Sequence, residues 1–275
     1  MSYSAIGSRL RQIRAEYRKA LTPATVGATV LLAVFALLMQ LQAQADEDGP
    51  SAVDWTGAVS ISMLQHVTLL GVVAVGIFAG QMSGAEAATS SLSLSLTAEP
   101  RRGRLIAAKT VALCVHVVVS LALTAVTLGI YGVVLGNGTG ATTTVTEASE
   151  IFARGALVLI ALTAAATWIA IWSGSTITPA LIGAGTFIIG FFLAGPENLG
   201  IDPRIAFAEA TPYMWIVRWM QPEGDGRYID FVAIEPSPTG VVRSGFILAA
   251  VALTALALTT RVTLDRAIRT PKGTQ

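Results

Sequence analysis

Apolar residues in this chain gather into six long runs separated by short polar stretches. A helix needs about 20 residues to cross a hydrocarbon core of about 30 Å. Residues 23–43 form a first run without a charge, and further runs cover 57–80, 105–135, 152–172, 179–195 and 242–260. The pattern predicts an all-α polytopic membrane protein in which residues 1–275 form a single transmembrane domain with six spans. Ahead of the first run, residues 8–21 place Leu10, Ile13, Tyr17 and Leu21 at helical spacing among Arg11, Arg14, Arg18 and Lys19. Such a basic amphipathic helix lies in the headgroup plane.

The intervals between runs sharpen the picture. Asp46 to Pro50 is an acidic turn without Lys or Arg, and the Thr-rich stretch from Gly136 to Glu150 is likewise free of cations. Spans four and five are joined by a short SGSTIT turn, which predicts a helical hairpin. Residues 196–241 form the longest polar interval, with six prolines and with Phe207, Tyr213, Trp215 and Trp219 dispersed through it. Aromatic residues favour the membrane interface, so short helices partly inserted at the outer leaflet are expected there. Gly76, Gly80 and Gly84 recur at intervals of four, a spacing that lets helices approach closely.

Composition excludes an ordinary soluble domain: 53% of residues are hydrophobic, only 13% are charged and the mean hydropathy is +0.65. The first span has no cleavage signature after it and is expected to be retained. A single cysteine, Cys114, excludes an intrachain disulfide framework. No phosphate loop, H-E-x-x-H, G-x-S-x-G or C-x-x-C motif is present, so the residues for nucleotide hydrolysis, zinc or serine chemistry are missing. His66 and His116 lie on different spans, each readable as a packed histidine or as a polar group on a transport path.

The net charge of +1 conceals a strong asymmetry along the chain. Five Lys and Arg precede the first span, four lie between Arg101 and Lys109 and four follow the last span, and all thirteen fall on one side of a six-span topology. That side is expected to be the cytoplasm, with both termini in it. Lys109 is expected to project there from the long third span.

Between spans two and three the chain reads Leu96-Thr97-Ala98-Glu99-Pro100-Arg101-Arg102-Gly103-Arg104-Leu105, preceded by Glu86 and a small-residue helix and followed by Ala107-Ala108-Lys109. This stretch resembles the segment between spans two and three of the ATP-binding-cassette type-2 permeases, most closely those of the actinobacterial exporter type. Arg14-Ala15-Glu16-Tyr17-Arg18-Lys19 is similar to the signature of the connector helix preceding span one in the same family.

The resemblance implies that residues 84–98 form a coupling helix received by a separate ATPase, with contacts from Glu86, Thr89, Ser90, Arg101, Arg102 and Arg104. It implies connector-helix roles for Glu16, Tyr17 and Lys19. Ser90 and Ser93 depart from the family's glycine and arginine, and Pro100 is expected to end the coupling helix at Glu99. Implied partners are two copies of a cytoplasmic ATPase, which would bind ATP and magnesium, and a second permease copy or a related chain. The chain itself is expected to bind no cofactor or metal and to be non-catalytic. The implied function is export of an amphipathic substrate such as a drug, peptide antibiotic or lipid. A non-transporting scaffold or sensor subunit and a secondary carrier are the alternatives.

Overall fold

The computed structural model describes residues 3–45, 71–89, 102–135, 145–194, 212–220 and 238–269. Every element among them is helical, and the described residues contain no strand. Helix α1 spans Tyr3–Ala20 and α2 spans Pro23–Ala45. Helix α3 covers Val72–Ala88, α4 Arg102–Leu135 and α5 Val145–Ser173. Helices α6, α7 and α8 cover Thr178–Ala194, Pro212–Met220 and Pro238–Arg269. Among the described residues, three segments, Gly103–Leu128, Ser149–Ser173 and Val242–Thr259, are long and apolar enough to cross a membrane. Residues 57–70 of the second expected span, 90–98 of the coupling helix, the acidic turn at 46–50 and 136–144 of the Thr-rich stretch lie outside the described residues, while 145–150, expected as loop, already belong to α5.

Local chemistry sets the breaks. Between α1 and α2, Thr22 Oγ1 accepts from the Thr25 N–H at 3.2 Å while Thr25 Oγ1 accepts from the Thr22 N–H at 3.0 Å. This reciprocal cap satisfies two donors at the helix start, and Pro23 in the first turn has no N–H to satisfy. Helix α5 ends at Gly174, whose φ of 62° is a left-handed value that a glycine adopts without strain. Ser175 Oγ then accepts from the N–H groups of Ile177 and Thr178 at 3.2 and 3.1 Å, which starts α6.

Helix α5 is the centre of the bundle, packed by α3, α4, α6, α7 and α8, while α1 and α2 lie against α4. The core includes Phe78, Leu113, Leu121, Val158 and Leu159. Large apolar side chains such as Leu31, Leu181, Phe246 and Leu253 face outward, as helices surrounded by lipid require. Leu10 of α1 and Leu21 just beyond it are exposed, while the carboxylate of Glu16 turns into the bundle.

Helix α3 carries a π-helical turn over Gly80–Gly84 between regular segments Val72–Ala79 and Ala85–Ala88. Its three spaced glycines face the start of α6 and the turn before it. A Cβ on Gly76 would sit 2.6 Å from the Ala180 Cα, and those on Gly80 and Gly84 would strike the carbonyl oxygens of Thr176 and Ser175. These are backbone atoms, so the contact cannot yield by a side-chain rotation. Gly80→Ala is expected to destabilise the protein by about 1–3 kcal/mol through overpacking. Gly27→Ala, where a Cβ meets open space, should be neutral or slightly stabilising. Thermal unfolding of the two variants in detergent checks the contrast.

Candidate functional site

Four charged side chains from three helices meet at one end of the bundle. Glu16 and Lys19 come from the last turns of α1, Glu86 from the end of α3 and Lys109 from the second turn of α4. Lys109 Nζ lies 2.7 Å from Glu16 Oε2 and 2.6 Å from Glu86 Oε2. Lys19 Nζ closes the group at 2.8 Å from Glu16 Oε1 and 3.8 Å from Glu86 Oε1. Two carboxylates and two ammonium groups make the cluster neutral.

Burial decides what these contacts are worth. The side chains of Lys109 and Glu16 are 1% and 5% exposed, that of Glu86 is 19% exposed and only Lys19, at 53%, reaches well into solvent. An ammonium group removed from water is tolerated only where counter-charges and hydrogen bonds replace its hydration. Burial alone would push the Glu16 carboxyl up, but Lys109 and Lys19 outweigh it and hold the carboxyl below the usual carboxylate range. Burial alone would lower Lys19, yet Glu16 and Glu86 raise it above the usual range.

Two turns further along α4, His116 continues the same face. One of its ring nitrogens, Nε2, lies 3.3 Å from Thr29 Oγ1 of α2. Phe78 of α3 meets the imidazole edge to face at a centroid distance of 4.7 Å, and the Tyr17 ring of α1 lies 6.3 Å away. His116 is therefore a buried packed histidine that joins α2 and α3 to α4 just below the charges. Across the described residues, no three His, Cys, Asp or Glu side chains are grouped so that they could hold a metal ion.

One expectation from the sequence needs correction. Lys109 does not project from the end of its helix, because its ammonium is held inside by carboxylates from two other helices. Glu86, expected to contact the ATPase, is engaged by Lys109 within the chain, with 19% of its side chain exposed. The π turn supplies the reason. One extra residue in a turn rotates all later side chains about the axis by about 100°. Glu86 follows Gly84 by two residues and is aimed at α4.

Of the other residues singled out, Thr89 is exposed and its Oγ1 donates to the Ala85 carbonyl at 2.9 Å. Arg104 is half-buried in the first turns of α4, and Ser90 and Arg101 lie outside the described residues. Sequence reasoning did not find the cluster. The available signal was a lysine in an otherwise apolar helix, which demands a counter-charge from another segment. It also missed Arg154, which pairs with Glu150 at 2.5 Å and whose Nη1 donates to the Trp219 carbonyl at 3.1 Å. The Trp219 indole N–H donates in return to the Arg154 carbonyl at 3.2 Å.

A bundle of apolar helices with a neutral, shielded charge cluster at one end defines a helical integral membrane protein. The sequence matches the family described as ABC-2 family transporter protein over residues 17–193, well over half of the chain, and the protein belongs to that family. The match begins at Tyr17, within the cluster's own helix, and ends in α6. Members are membrane-embedded permease subunits that normally work with an ATPase subunit. No characterised protein matches the sequence closely enough to be named as a relative.

Lys109→Ala is expected to destabilise the protein by about 3–5 kcal/mol, because it removes the main counter-charge of the buried Glu16 and of the half-buried Glu86. Acid should have a related effect. A carboxyl whose pKa is depressed on folding contributes fully above its unfolded value and loses that contribution as the pH falls through the folded value. Melting temperatures in detergent should therefore decline on acidification below pH 4.5, the unperturbed Glu value. Glu16→Gln should remove part of that decline.

Proposed function

We propose that this chain is the permease subunit of an ATP-driven exporter. In this reading six helices span the membrane, both termini and residues 86–109 are cytoplasmic, and residues 84–98 dock on the ATPase. The family match supports the class, and the concentration of thirteen Lys and Arg in three stretches supports the orientation. The observation that carries the mechanism is the ion cluster. It ties the end of α3, where the docking segment begins, to α4 at 2.6 Å, and α4 in turn to α1 at 2.7 Å.

ATP binding by two copies of the ATPase would draw the docking segments together. Because Glu86 is locked to Lys109 and Lys109 to Glu16, a displacement of the α3 end carries α1 and the first turns of α4 with it. The span bundle is thereby biased between inward and outward states, by population shift rather than by chemistry in this chain. ATP and magnesium belong to the partner. An amphipathic substrate fits an interior whose described polar groups are mostly hydroxyls bonded to their own helices, as Thr124, Thr163 and Thr167 are. A second permease copy or a related chain would complete the pathway.

Purification from native membranes should bring down an ATPase whose hydrolysis rises with an amphipathic compound. Absence of the ATPase would remove the ATP-driven reading in favour of a secondary carrier. An ATPase indifferent to all such compounds would indicate a non-transporting scaffold. The orientation has its own check: in a Cys114→Ser background, Thr143→Cys should react with an impermeant thiol reagent on intact cells. Reaction only after permeabilisation would reverse the topology.

A further inference from the structure

A second feature of the bundle lies away from the charge cluster. A cavity of about 230 Å³ opens among α3, α5, α6, α7 and α8. Its walls include Val75 of α3, Ala165 of α5, Ile182 of α6, Ile216 of α7 and Val251 of α8. Among the described residues, the Thr186 hydroxyl and the Trp215 indole N–H are the only polar side-chain groups on the lining. A lining of this kind does not hold water, since a buried water needs two to four polar partners, and an engineered apolar cavity of about 150 Å³ stays dry and accepts benzene. At the same time the volume falls below the range of about 300–1,000 Å³ typical of sites that enclose a whole drug-sized molecule. The space suits part of a molecule: a run of hydrocarbon.

Where the cavity opens indicates what reaches it. Ile182 and Val251 belong to its wall and yet are 44% and 38% exposed, so they mark a mouth between α6 and α8. Beside them Leu181 and Leu253 point outward at 66% and 69% exposure. The mouth is continuous with the lipid-facing surface of the bundle, and the phase available at that surface is the acyl-chain region of the bilayer. Trp215 and Ile216 of α7 close another side. That helix is fixed one turn later, where Trp219 exchanges hydrogen bonds with Arg154, lies 5.6 Å beneath its guanidinium and packs against Gly245 of α8. The wall formed by α7 is thus held in place by the protein and does not collapse into the space.

We propose that this cavity is a binding site for an acyl chain of a resident bilayer phospholipid, inserted between α6 and α8 against Trp215 and Ile216. The headgroup stays outside, and the site selects for a chain of hydrocarbon rather than for a charge. Membrane insertion is its only prerequisite, so the site is independent of the exporter reading and of any partner ATPase. An occupying chain would fill the gap that otherwise separates α6 from α8, making the lipid part of the packed bundle.

The test uses the full-length protein reconstituted in phosphatidylcholine bilayers doped with a phosphatidylcholine that carries a diazirine in its acyl chain. After illumination, adducts are mapped by mass spectrometry. Adducts should be enriched on Ala165, Ile169 and Ile182 of the lining over the outward-facing Leu253. Ala165→Phe, which fills the cavity, should lower the lining adducts by about tenfold, the effect of losing the burial of two methylene groups. Labelling of Leu253 should be unchanged. Thr186→Leu fills the opposite wall and should act in the same direction if Ala165→Phe does not fold. Lining adducts no more frequent than those on Leu253 would overturn the proposal. So would their loss on adding an amphipathic compound that stimulates hydrolysis, which would make the cavity a substrate site. Cross-links from the lining to a second copy of the chain would overturn it too, since a neighbouring helix would then be the occupant.

Discussion

The constraint on which the rest of this structure depends is the burial of one ammonium group. Lys109 sits in an apolar helix with 1% of its side chain exposed, and an isolated ammonium at that depth would cost several kcal/mol after all relaxation. Two carboxylates within 2.7 Å remove that penalty, but together they overcompensate by one charge. Lys19 restores neutrality from the solvent side. The charges therefore link three helices: withdrawing α4 leaves two carboxylates sharing only Lys19, and withdrawing α1 or α3 strips the buried Lys109 ammonium of one of its two carboxylate partners. A trio of well-fitted apolar side chains would stabilise the junction as well or better. What the charges add is a definite partner for each helix end, which van der Waals packing among alanines and leucines does not enforce.

The geometry of α3 follows from two demands that act on opposite sides of it. On one side its glycines bring it so close to Thr176 and Ala180 that no Cβ fits between them. On the other side Glu86 must reach Lys109. A regular helix would satisfy the first and miss the second, and the π turn over Gly80–Gly84 reconciles them by rotating the last turn. Glycine serves both ends of the compromise. It permits the close approach to the α5–α6 hairpin and offers no side chain to clash within the widened turn. A helix pinned in this way has little freedom to slide along α6, so a force on its end is passed sideways to α1 and α4.

How much of this was legible in the sequence depended on the range of the interaction. Apolar runs, the Pro23 start, the SGSTIT turn and the four-residue glycine spacing are local patterns, and the described long helices overlap the apolar runs, although α5 begins at Val145, ahead of its run, and α3 continues past its run to Ala88. The long helix α8 runs on to Arg269, well beyond the apolar run, because Arg261 and the residues after it form helix as readily as the span does. Interactions across the chain were not legible. Glu16 and Lys109 are 93 residues apart, and Arg154 and Trp219 are 65 apart. Each reads locally as a surface charge or an interfacial aromatic. Counting cations treats every Lys and Arg as a topological marker, and it counted Lys109 even though its charge is neutralised inside the protein. Without Lys109, twelve Lys and Arg remain in the three stretches from which the proposed orientation is argued.

The amphipathic character of α1 takes on a second meaning beside the cluster. Its exposed Leu10 and Leu21 and its arginines suit a helix lying at the membrane surface, where attraction to anionic lipid extends only over a Debye length and weakens with salt. Glu16 answers to different physics. Buried ion pairs are screened far less than exposed ones, so the joint to α4 keeps its strength under ionic conditions that loosen the helix from headgroups. In the proposed exporter, α1 would have one soft attachment, to the bilayer, and one stiff attachment, to the bundle. A displacement of the α3 end would pass through the stiff attachment first and move α1 across the surface while the soft one slips. The order of these two stiffnesses allows a surface helix to follow the bundle instead of anchoring it.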